Sequence, residues 1–176
     1  MIKVTALAWA FLALGAGAAG AQQAEPPKSN PADVIPDKMP FNIPYGAPIA
    51  FARAQAAVNA TIAEAERHGW AMNIAVVDSG ANLVAFARMD GAQLGSIAVA
   101  QHKARAAAIF RRPTKAFEDR VQRADDKAVL TVDGVIASRG GIPLIEDGKL
   151  IGAIGCSGGT GSQDEVACKA GAASVK

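Results

Sequence analysis

Apolar residues recur every three or four positions over residues 49–68, with Phe51, Ala54, Val58, Ile62 and Ala65 on one face. That period predicts an amphipathic helix, and Gly69 predicts its end. The pattern then changes to two short apolar runs, 74–77 and 83–87, on either side of Asp78-Ser79-Gly80-Ala81-Asn82. Short runs around turn residues predict adjacent antiparallel strands. An Ala-rich stretch over 94–110 predicts a second helix, which Pro113 stops, and Thr114 is placed to cap a short helix through Phe117 and Val121. In "GIPLIEDGKLIGAIGC" the pair Asp147-Gly148 divides two apolar runs, the strongest local signal for a tight hairpin. Ser162 and Glu165 have capping-box spacing, so a last helix is expected over 163–173.

Helix, hairpin, helices, hairpin, helix is an α+β order, without the strand-helix-strand alternation of a dinucleotide fold. This bears on "GCSGGTGSQDE", residues 155–165, which sets four glycines in seven positions ahead of the last helix. Such a loop offers backbone N–H groups and a positive helix end to an anion. A dinucleotide fingerprint needs a parallel crossover and an acidic residue about 20 positions on, and a P-loop needs Gly-Lys before Ser or Thr. Gly161 is followed by Ser162-Gln163, so both nucleotide readings fail. What survives is a turn, Ser157, Gly158, Gly159, Thr160 and Gly161, able to hold a small carboxylate or propionate, or only to turn.

Lys3, the apolar run over 4–14 and Ala19-Gly20-Ala21 read as a secretory signal over residues 1–21. The expected location is therefore periplasmic or secreted, with no membrane attachment after cleavage. Seven prolines over 22–48 predict an extended arm, either a tether or a strap across a neighbour, with Phe41, Ile43 and Tyr45 favouring docking of its last part, ahead of a single domain over 49–176. The chain carries 18 basic and 16 acidic residues without a basic run, so no nucleic-acid partner is expected. An oxidising compartment makes a Cys156–Cys168 disulfide the first reading, ahead of buried thiols and of a thiolate metal pair; no metal site is assigned.

The segments "AVVDSGANLVAFARMDGA", "KARAAAIFRRPT", "GGIPLIEDGKLIGAIGCSGG" and "QDE", in that order, closely resemble the GlcG/HbpS-like haem-binding family over about residues 49–175. The resemblance implies a profilin-like three-layer α/β/α unit around a central antiparallel sheet, assembled as a homo-oligomer, with octamers among the family's forms. It also implies haem as a non-covalent cofactor, in a carrier or a sensor. The alternative is a periplasmic accessory binder of a small carboxylate, or of another small molecule linked to oxidation, without haem.

Imidazole is the usual strong axial ligand, so His102 and His68, the two histidines, are the first candidates to hold haem. His102 lies mid-helix beside "KARAAAIF", whereas His68 sits where a histidine serves a helix C-terminus. Met89 and Thr114 are weaker candidates, read otherwise as a core sulfur and a helix cap. Lys103 and Arg112, with Arg88, Arg105 and Arg111, are the cations expected to meet the propionates. No catalytic residues are assigned. Asp78 and Asp90 sit in turns, Glu165 falls in the expected capping box, and Ser157 lacks a Gly-x-Ser-x-Gly frame. The residues lean towards a binding protein rather than an enzyme.

Overall fold

The computed structural model describes residues 34–123 and 126–175; the expected secretory segment and residues 22–33 of the arm lie outside them. The elements run α1 (Phe51–Arg67), β1 (Asn73–Asp78), β2 (Leu83–Arg88), α2 (Ser96–Ile109), α3 (Lys115–Arg123), a 3-10 turn (Lys127–Thr131), β3 (Gly141–Glu146), β4 (Lys149–Ser157) and α4 (Gly161–Ala173). The strands form one antiparallel sheet in the order β2-β1-β4-β3. Alternation along β1 serves both faces at once. Ile74 and Val76 join the core under α1 and α4, while Ala75 and Val77 join Ala100 and Ala104 of α2 on the other side. The result is the expected α+β sandwich, helices on both faces of an antiparallel sheet.

Small residues set the spacing of the α2 layer. A Cβ added at Gly155 of β4 would lie 2.2 Å from the Ala100 carbonyl oxygen and 2.4 Å from the Ala104 nitrogen, so a side chain there cannot coexist with this packing. The alanines of α2 are what let the helix rest against strand backbone. At the β3–β4 turn Asp147 and Gly148 adopt φ of 48° and 72°, the left-handed pair that an Asp-Gly hairpin provides.

Two local expectations need correction. The capping box uses Thr160 and Gln163, not Ser162 and Glu165: the Thr160 hydroxyl accepts from the Gln163 N–H and the Gln163 side chain accepts from the Thr160 N–H. Starting α4 at Gly161 brings Asp164 into the first turn, where it is buried, and leaves Glu165 to pair with Arg139 and Lys169. Thr114 is also used differently. Its fully buried hydroxyl accepts the Gly141 N–H at 2.9 Å, tying the start of α3 to the start of β3.

The last part of the arm lies along β4. The Leu150 N–H donates to the Pro44 carbonyl at 2.8 Å and the Gly46 N–H to the Leu150 carbonyl at 2.7 Å. Farther along, the Tyr45 hydroxyl donates to the Ile109 carbonyl at 2.9 Å. The Arg112 guanidinium stands 3.1 Å from the centre of the Phe41 ring.

Candidate functional site

The glycine-rich loop joins β4 to α4, and a Cys156–Cys168 disulfide links those same two elements. Its anion is already present. One carboxylate oxygen of Asp164 accepts from the Gly158 and Gly159 N–H groups, each at 3.1 Å, and the other accepts from the Lys103 ammonium at 2.7 Å. Lys103 also donates to the Cys156 carbonyl at 3.1 Å, and the Thr160 N–H is taken by Gln163. The Lys103 and Asp164 side chains are 1% and 3% exposed, so this ammonium does not reach solvent or a surface propionate. Burial pushes the Asp164 carboxyl above the usual carboxylate range, and the ammonium and two N–H donors oppose that shift. Ser157 is likewise occupied, its hydroxyl buried against that of Ser96 at 3.0 Å.

A neighbouring cluster braces the loop from outside. The Arg139 guanidinium and backbone N–H both donate to Glu118, and the guanidinium stands 3.6 Å from Glu165. Hydrogen bonds from Arg139 hold the Glu118 carboxyl below its ordinary range, and the same pairing raises the Arg139 guanidinium.

His102 sits elsewhere, on the exposed side of α2. It lines a cavity of about 640 Å³ together with Ala81, Ala98, Arg105, Ile109 and Gly134. Its Nε2 lies 3.3 Å from the Gly134 carbonyl oxygen. A carbonyl only accepts, so the bond requires Nε2 to carry the proton, which leaves the Nδ1 lone pair of the neutral ring for another partner. A ligating imidazole is commonly oriented by such a bond from its other nitrogen. Alanine and isoleucine side chains supply apolar wall, Arg105 supplies one cation for a carboxylate, and Asp133 adds one carboxylate to the same lining.

The remaining candidates are dispersed. Met89 lines a separate cavity of about 560 Å³ between α1 and β2, beside Trp70 and Arg88. His68 caps α1, with Nε2 bound to Glu64 at 3.1 Å and its ring stacked on Trp70, centres 4.3 Å apart. Arg112 is enclosed by Phe41, Phe110 and Phe117, and that burial, with Arg111 and Arg120 nearby, lowers its pKa. The structure therefore does not gather His102, His68, Met89, Thr114, Lys103 and Arg112 into one site. Gly134 and Trp70 were missed by sequence reasoning. The signals the sequence offers for them are weak: Gly134 follows Asp133 in an Asp-Gly pair, and Trp70 is a tryptophan in a chain with 5% aromatics.

Comparison with known proteins identifies the family. The family model described as haem degrading protein HbpS-like matches residues 49–173. Protein GlcG of Escherichia coli strain K12 is 41% identical over 104 residues, which is 59% of this chain and 77% of GlcG. A crystal structure of a Streptomyces reticuli HbpS double mutant superposes with a TM-score of 0.68 at 27% identity, over 87% of this chain and 98% of that one. The PduOC:haem complex superposes with a TM-score of 0.67 at 26% identity, over 74% and 96% of the two chains. With residues 49–173, well over half of the chain, matched by the family model, the chain belongs to the HbpS-like family.

Proposed function

We propose that this chain is an exported, non-covalent haem-binding protein whose axial ligand is His102. The observation that carries the reading is the His102 imidazole, held by the Gly134 carbonyl with Nδ1 left to accept, at the wall of a cavity that also holds Arg105. The donor set fits the cofactor. Imidazole suits the iron, the guanidinium suits a propionate, and Ala81, Ala98 and Ile109 suit the porphyrin face. Bound haem supplies an iron centre for small-ligand or redox chemistry; the chain's own residues orient it and limit its contact with water. The named PduOC:haem complex, on a similar fold, supports the same cofactor. Export is supported by the sequence pattern of residues 1–21 and by the Cys156–Cys168 disulfide, which suits an oxidising compartment.

Titration of hemin into the purified protein tests the proposal. A saturable Soret band at one haem per chain is expected, lost in His102→Ala and retained in His68→Ala. A featureless, non-saturating response, or a band indifferent to His102→Ala, overturns it.

A further inference from the structure

The second cavity, between the end of α1 and β2, differs from the His102 cavity in its charges. Its wall carries Arg88, Glu66 and Asp90, and among the described residues none of these three makes an ion pair or a side-chain hydrogen bond. Its apolar surface is Ile62, Trp70 and Met89, all packed against the main core. Free cation, free carboxylates and an indole therefore converge on one space of about 560 Å³, within the size range of small-molecule sites.

The walls are fixed by backbone. Gly69, at φ 68°, reverses the chain after α1; its N–H donates to the Glu66 carbonyl at 3.0 Å and the Trp70 N–H donates to Ala65 at 2.9 Å. This closure seats Trp70, and the stacked His68 ring, itself held by Glu64, keeps the indole in place. Opposite, the Met89 N–H donates to the Met72 carbonyl at 3.0 Å. The apolar wall is thus held before a ligand arrives, and the ordering a ligand must impose falls on the exposed Arg88, Glu66 and Asp90 side chains.

We infer that this cavity binds a small zwitterion, an α-amino acid with an apolar side chain. Arg88 takes the carboxylate, Asp90 and Glu66 take the ammonium, and Trp70 with Met89 and Ile62 receives the side chain. A dianion such as haem would set two propionates against the two carboxylates here, whereas the His102 cavity balances its one carboxylate, Asp133, with Arg105. The assignment does not rest on haem binding.

Trp9 and Trp70 are the two tryptophans, and Trp9 lies in the segment read as a secretory signal, so the protein from Gln22 onward carries the cavity indole as its sole tryptophan. L-Phenylalanine and L-leucine should each change its emission saturably, while phenylacetate and 2-phenylethylamine, each lacking one charge, bind about tenfold more weakly or worse. Arg88→Gln should bring L-phenylalanine down to the level of 2-phenylethylamine, and Asp90→Asn towards that of phenylacetate, with the circular dichroism spectrum unchanged in both. The inference is overturned if neither amino acid gives a saturable change. It is equally overturned if 2-phenylethylamine or phenylacetate binds as tightly as L-phenylalanine, or if both substitutions leave its affinity intact. Loss of the Soret band in His102→Ala with amino-acid binding retained keeps the two sites distinct.

Discussion

The glycine-rich loop and the α1–β2 cavity are opposites in one respect. The loop has the residues of an anion site, yet three of its N–H donors are already bound by Asp164 and Gln163. The cavity has no motif at all, yet its guanidinium and carboxylates are unpaired among the described residues. A pattern of residue types shows what a segment can bind; only the tertiary partners show whether that capacity is spent inside the fold. The loop should therefore answer to substitution with lost stability, and the cavity with lost ligand.

The largest effect is expected at the buried pair. Lys103→Met leaves Asp164 without its cation in a dry environment, which costs about 3–5 kcal/mol in denaturant unfolding. Adding Asp164→Asn, which removes the charge but keeps an acceptor for the two glycine N–H groups, should recover much of that loss. A Lys103→Met protein of normal stability would show that the loop does not depend on its internal anion. Next comes the disulfide, which closes a loop of 12 residues in sequence separation; Cys156→Ala with Cys168→Ala should cost about 3 kcal/mol by the same measurement.

Glu118 sharpens the comparison through pH. Arg139 depresses its folded pKa, so its contribution is present above the unfolded carboxylate range and disappears as pH falls through the lower, folded value. Glu118→Gln should cost about 1–3 kcal/mol at neutral pH, and the gap to the parent should close on acidification below the usual carboxylate range. A gap independent of pH would contradict the pairing. Thr160→Ala removes one half of the capping box and should cost about 1 kcal/mol in thermal or denaturant unfolding. Arg88→Gln, on the cavity side, should alter stability by no more than about 0.5 kcal/mol.

Local chemistry was legible in the sequence. The hairpin at Asp147-Gly148 could be read because few residue pairs adopt two left-handed φ values in succession, and α1 because its apolar period is unbroken until Gly69. The start of α4 was misplaced by two residues because two Ser/Thr-x-x-Glu/Gln frames overlap, and the choice between them is made by the burial of Asp164. Long-range pairings left no such trace. Lys103 looks like any helix cation, and its partner lies 61 positions away. The Gly134 carbonyl that orients His102 is 32 positions away, and a backbone oxygen has no residue type to betray it. Residue type and nearness to the family-like segments mark the candidate haem residues, and neither fixes their place in three dimensions, so the fold is able to disperse them.

The position of the iron tests the central claim most directly. Anomalous scattering from crystals grown with hemin should place iron at bonding distance from Nδ1 of His102, with a propionate near Arg105. Iron beside Met89 and Trp70, or with no imidazole bound to it, would contradict the account.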